Sequence, residues 1–167
     1  MVRPVPGDTS AGDNGPMASW SDLADAAPEL AEAVRARFAA GRHCTLATLR
    51  CSGAPRISGS EVEFADGEVW IGSMLGARKA DDLRRDPRFA LHSPTTDPPP
   101  ASPLDWAGEA KLAGRAVEVA VDGADGADGA HRFRLELDEV VLTRVVGDEL
   151  EITSWHPDRG VEARRRR

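Results

Sequence analysis

The hydrophobic period of the chain changes once, at Gly41, and this change constrains the fold more than any other feature. Before it, "SWSDLADAAPELAEAVRARFAAG" (19–41) carries serine caps, a proline suited to a first helical position (Pro28) and apolar residues at Leu30, Ala33, Val34 and Phe38. That spacing makes one apolar stripe, so the segment is expected to be an amphipathic helix laid on something else. After it the period is two. "HCTLATLR" (43–50) is rich in β-branched and apolar residues, "CSGAP" turns the chain into "RISGSEVEF" (56–64), and "ADG" reverses it into "EVWIGS" (68–73). This is a three-strand meander joined by hairpins. A short helix from Ala77 to Arg85 follows, stopped by Asp86-Pro87, and then "RFALHS" (88–93) as a fourth strand.

The proline-rich "PTTDPPPASPLDW" (94–106) reads as a surface loop, because proline donates no ladder hydrogen bond. "GEAKLAGRAVEVAV" (108–121) resumes the strand pattern and "DGADGADGA" (122–130) interrupts it. Asp-Gly spacing occurs in calcium loops, but no Glu stands where a bidentate ligand is required, so no metal is expected. "HRFRLELDEVVLTRVV" (131–146) and "LEITSWHP" (150–157) add two or three strands. The expected fold is mainly β: six or seven antiparallel strands and two helices in a closed or nearly closed barrel, which also removes exposed edges. No β-α-β alternation and no well-placed G-x-G-x-x-G support a Rossmann cofactor site.

A chain of 167 residues fits one domain, here 19–160, with 1–18 as a disordered leader and 161–167 as a basic tail. The 28 acidic residues outnumber the 21 Lys and Arg, giving −7, so neither nucleic acid nor anionic membrane is an expected partner. The closing "EARRRR" reads as a solvated end. Cys44 and Cys51 complete no zinc pattern, and no apolar run approaches the ~18 residues that span a bilayer. A reduced, cytoplasmic protein is expected.

Arg78 and Lys79 stand at the N-terminal end of the 77–85 helix, where acidic side chains are normally favoured. The "ADG" turn, taken to pair Phe64 with Glu68, brings Ser60 near Gly72 and leaves Arg56 further along the same edge. Arg56, Ser73, Arg78 and Lys79 thus surround a place for one anion, with helix N–H groups as further donors, a combination that suits phosphate. The same residues also fit a purely structural account, in which Arg78 pairs with Asp82 at i+4 and Asp81 and Asp82 serve the first turn. Trp70 is expected in the core, Trp20 as a staple of the first helix, and His43, His92 and His131 in structural roles.

The run "HCTLATLRCSGAPRISGSEVEFADGEVWIGSMLGARKADDLRRDPRFALHS" resembles the core of the pyridoxamine 5′-phosphate oxidase-like family, FMN-binding split β-barrels that include flavin- and deazaflavin-dependent oxidoreductases. The order of elements carries the resemblance: a Gly-Pro turn, an Arg-led strand, a hairpin and an R-K-x-x-x-L-R-R-D-P helix. It implies that Arg56 and Lys79 hold a cofactor phosphate and that Ile57, Ser58, Gly59 and Ser60 line the ring system. It also implies a homodimer with the cofactor, FMN or the deazaflavin F420, at the interface and Trp155, His156 and Arg159 of the other chain completing the pocket. Many relatives carry a hydroxyl just before the Arg-Lys pair; Ala77 stands there, so Ser73 would supply it. The implied activity is hydride transfer to or from a small organic substrate, or flavin or haem binding without turnover. Because such a cofactor carries its own redox chemistry, no catalytic acid or base is singled out. The substrate side falls to loop 94–107 and the C-terminal segment, which carry no readable code.

Overall fold

The structure is a computed structural model that describes residues 16–120 and 130–167. The first helix, α1 (Trp20–Ala26), opens with a capping box: the Ser19 hydroxyl accepts from the Asp22 N–H, and the Asp22 carboxylate accepts from the Ser19 N–H. The single helix expected over 19–41 is two. Ala27 leaves helical geometry directly before Pro28, as the proline ring demands of the residue ahead of it, and α2 (Pro28–Phe38) starts afresh. Leu23, Leu30, Val34 and Phe38 are buried, and Trp20, itself in the core, meets Phe64 edge-on at 4.6 Å between ring centres.

Among the described residues nine antiparallel strands follow: β1 (Cys44–Leu49), β2 (Pro55–Ser60), β3 (Val62–Ala65), β4 (Glu68–Ser73), β5 (Arg88–His92), β6 (Glu109–Val119), β7 (His131–Val146), β8 (Glu149–His156) and β9 (Gly160–Arg166). A third helix, α3 (Arg78–Arg85), stands between β4 and β5. The hydrogen-bonded path runs β2-β1-β5-β6-β7-β4-β3, with β8 added to β7 and β9 to β8. The path is open, and its two ends, β2 and β3, are separated only by Glu61. One stretch of chain therefore pairs with β1 through its first half and with β4 through its second, which makes the barrel split rather than closed.

That switch accounts for part of the strand count, since the single strand expected over 56–64 is β2 plus β3. The rest comes from 161–167. Expected as a tail, it forms most of β9, paired along β8 from His156↔Gly160 to Leu150↔Arg166. Its arginines are held by acids on β8: Arg165 by Glu149 and Glu151, and Arg167 by Glu149. Of the expected leader, residues 1–15 lie outside the described residues; Ala18 is buried and exchanges two backbone hydrogen bonds with Leu137.

The β3–β4 register is Ala65↔Glu68, one residue from the expected Phe64↔Glu68. The turn holds two residues, Asp66 at φ 54° and Gly67 at φ 75°, the left-handed pair of a tight hairpin, rather than three. In β4 this leaves Val69, Ile71 and Ser73 facing inward. Trp70 faces the other way and is only half-buried, under the Arg132 guanidinium 4.4 Å from the ring centre, so its expected place in the core is not what forms. The core is filled by Leu46, Val69, Ile71, Leu91, Leu112, Phe133, Leu135 and Val140, with α1, α2 and Leu83 of α3 packed around it.

Candidate functional site

The predicted cations gather where α3 meets β2. Gly76, at φ 73°, and Ala77 lead into α3, and no side chain caps its first N–H groups. Such an end keeps free donors and a partial positive charge. Lys79 lies one position inside it. Its Nζ donates to the Gly59 carbonyl at 2.8 Å, with the Ser60 hydroxyl at 3.5 Å, so the first turn of the helix is tied across to the end of β2. Burial lowers the Lys79 pKa below that of an ordinary lysine. Arg78 is exposed.

Arg56 approaches the same helix from the other end of β2. Its Nε donates to Asp82 Oδ2 at 2.6 Å. The expected i+4 pair of Arg78 with Asp82 does not form. Asp82 is buried, 3% exposed, and also accepts from the Thr48 hydroxyl at 2.9 Å and from Arg85 Nη2 at 3.2 Å. Burial pushes the Asp82 carboxyl up, but these hydrogen bonds and the Arg56 charge outweigh it and hold it below the usual carboxylate range. Arg85 is further anchored to the Leu49 carbonyl, so α3 is pinned to β1 and β2 together.

Within β2 the residues expected to line a ring divide between two faces. Arg56, Ser58 and Ser60 face inward, while Ile57 and Gly59 face out, with Ile57 75% exposed. Ser73 ends β4 with a buried hydroxyl that has no hydrogen-bond partner. Gly59, Gly72 and Gly76 each look onto open space where a Cβ would stand. An orphan hydroxyl, an uncapped helix end and bare backbone positions are features that a phosphate-bearing group can use.

The three C-terminal residues are not part of this cluster. Trp155 is 3% exposed, in the core of the chain, which corrects its expected place in a partner's pocket: the side chain lies on the inward face of β8, opposite Val140. His156 Nδ1 donates to the Asp138 carbonyl at 3.0 Å, and Arg159 lies beside Asp158. Both line a cleft of about 420 Å³ with Asp138 and Glu139. The residues that sequence reading missed are Asp82, counted as an ordinary first-turn acid, and Thr48. The available signal was spacing: Asp82 lies three residues after Lys79 and next to the core residue Leu83, hence on the sheet-facing side of α3.

A family model described as Pyridoxamine 5′-phosphate oxidase matches residues 30–137. The chain belongs to this family. The part matched to the pyridoxamine 5′-phosphate oxidase family contains Arg56, Ser73, Lys79 and Asp82 and stops before β8, so His156 and Arg159 fall beyond it. No curated protein matches the chain. Among solved structures, a pyridoxamine 5′-phosphate oxidase-related, FMN binding protein from Nostoc punctiforme superimposes with a TM-score of 0.62 at 11% identity, over 88% of this chain and 99% of that one. PhzG from Burkholderia lata, solved with tetrahydrophenazine-1-carboxylic acid, gives 0.58 at 15% identity, over 83% and 88%. A heme binding protein from Mycobacterium smegmatis gives 0.54 at 21% identity, over 75% of this chain and 58% of that one. These likenesses show the fold of this chain, a mostly β split barrel. Among the described residues no group of three or more His, Cys, Asp or Glu converges to hold a metal, and residues 122–129 of the Asp-Gly repeat lie outside them.

Proposed function

We propose that the chain is a flavin-dependent oxidoreductase that binds FMN between two copies of itself and transfers hydride to or from a small organic substrate. The observation that carries this reading is that two cations join α3 to β2, Lys79 from the uncapped first turn to Gly59 and Arg56 through Asp82, while β4, just ahead of α3, ends on an unpartnered Ser73 hydroxyl. Arg56 offers a planar fork and Lys79 a point charge to a phosphate dianion, and α3 adds N–H donors and its dipole. Ser73 stands in for the hydroxyl missing at Ala77. The backbone of Ile57 to Ser60 serves the ring system. A bound flavin supplies the two-electron chemistry itself; the chain binds, orients and excludes water.

The exposed apolar side chains Ile57, Met74 and Leu75, on β2 and on the link from β4 to α3, favour a second copy over this face. In that arrangement His156 and Arg159 reach the pocket from the partner, and loop 94–107 forms the substrate side. Among the described residues no helix is long and apolar enough to cross a membrane.

The deazaflavin F420 is the alternative cofactor, since the same cations suit its phosphate. A carrier of a conjugated ligand without turnover is the second reading, favoured by the likeness to the mycobacterial heme binding protein. Anaerobic addition of NADPH, NADH or reduced F420 to the loaded protein separates them. Bleaching of the bound flavin, followed by reoxidation on adding an acceptor, is the expected result; a bound flavin that no donor reduces and no acceptor reoxidises contradicts the enzyme reading.

A further inference from the structure

We propose that Asp82 is a positioning residue, which holds the Arg56 guanidinium by its Nε so that the two terminal nitrogens meet the cofactor phosphate. The inference rests on the phosphate reading above and deepens it. Asp82 sits on a face of α3 that also buries Ala80 and Leu83, where an apolar side chain would pack. A carboxylate there is costly unless every oxygen is satisfied. Here each is: Oδ2 accepts from Arg56 Nε at 2.6 Å and Thr48 Oγ1 at 2.9 Å, and Oδ1 accepts from Arg85 Nη2 at 3.2 Å. The donors come from β2, β1 and α3 itself, and Thr48 stands directly opposite Arg56 in the β1–β2 ladder.

The bond is made at the one nitrogen that leaves the useful end of the side chain intact. Arginine carries five N–H donors; taking Nε leaves four on the two Nη atoms, the end that grips phosphate through two parallel bonds. A guanidinium fixed at Nε by a buried carboxylate has lost most of its swing, so the orientation is set before the ligand arrives. Arg56 and Arg85 share the single carboxylate of Asp82, so these three groups together keep one net positive charge.

The test compares FMN with riboflavin, which lacks the phosphate, by fluorescence titration of the full chain as wild type and as Asp82→Ala and Asp82→Asn. The wild type is expected to prefer FMN. In Asp82→Ala FMN affinity should fall at least ~10-fold, the loss of one charge-assisted contact, with riboflavin affinity unchanged. Asp82→Asn should recover most of it, because an amide oxygen still accepts from Nε. An Asp82→Ala protein with the wild-type ratio, or one that loses both ligands equally, overturns the inference and leaves the phosphate reading standing. A wild type that does not distinguish the two ligands sinks both. Should the alanine variant fail to fold, wild-type NMR decides: the Arg56 Nε–H signal, assigned by its loss in Arg56→Lys, should exchange slowly with water with and without FMN, and fast exchange overturns the proposal.

Discussion

Lys79→Met removes one charge from the proposed phosphate site while keeping most of the side-chain volume. In the free protein the ammonium makes one good hydrogen bond, to the Gly59 carbonyl at 2.8 Å, and the Ser60 hydroxyl at 3.5 Å adds little. Burial, which lowers the Lys79 pKa, acts against that bond. The two effects oppose, so folding stability should change by less than about 1 kcal/mol. In the complex a charge-assisted contact to phosphate is worth about 1.5–3 kcal/mol, which is ~10- to 150-fold in Kd. Titration of flavin fluorescence with FMN and riboflavin, beside a thermal melt, reads both numbers. The pH dependence adds a sign. The protonated amine is the binding form and its pKa is lowered, so wild-type FMN affinity should decline with rising pH earlier than an ordinary lysine would allow. The methionine variant should lack that decline. An FMN Kd within twofold of wild type, or a parallel pH profile in both proteins, would falsify the assignment of Lys79 to the phosphate.

Three further outcomes follow from the packing. Trp155→Ala should cost about 3–5 kcal/mol in chemical denaturation and leave the preference for FMN over riboflavin intact, because the ring is a core residue; lost flavin binding in a protein of normal stability would return Trp155 to a pocket. Gly114→Ala should destabilise by about 3 kcal/mol or more, since Gly114 has φ 154° at the β6–β7 bulge and a Cβ there would stand 1.9 Å from the Glu136 carbonyl oxygen; an unchanged denaturation midpoint would show the bulge to be absent. The hydrogen bond from Arg88, against the opposing pull of burial, holds the Asp86 carboxyl down at about 2, so its contribution is present above the unfolded carboxylate pKa and lost as pH falls through about 2. Allowing for solvent around the exposed Arg88, Asp86→Asn should cost about 1 kcal/mol near neutral pH and progressively less as pH falls through about 2; equal losses at neutral pH and at pH 2 would contradict the ion pair.

The change of period at Gly41 and the hairpin signals made the mainly β fold legible, because alternation and turn residues are local properties. What stayed hidden depended on contacts distant in sequence. The segment "RISGSEVEF" reads as one strand, since nothing local says that Glu61 is where the chain leaves β1 for β4. "VEARRRR" reads as a tail because its partner acids, Glu149 and Glu151, lie on another strand. Arg56 and Lys79, the cations of the proposed phosphate site, stand out by type and spacing. Their carboxylate does not, because Asp82 beside Asp81 resembles ordinary first-turn acids until β1 and β2 are placed beneath α3. Trp155 belongs to a partner's pocket only by likeness to relatives; as a residue it fits packing at least as well, and the alternation of β8 turns it inward.

The identity of the native ligand tests the central claim most directly. Protein purified without added cofactor, its visible spectrum recorded and the ligand released by mild denaturation and weighed by mass spectrometry, should be yellow and yield FMN. A colourless protein that binds neither FMN nor F420 on titration, or one that releases a haem, would contradict a flavin-type phosphate site built on Arg56 and Lys79.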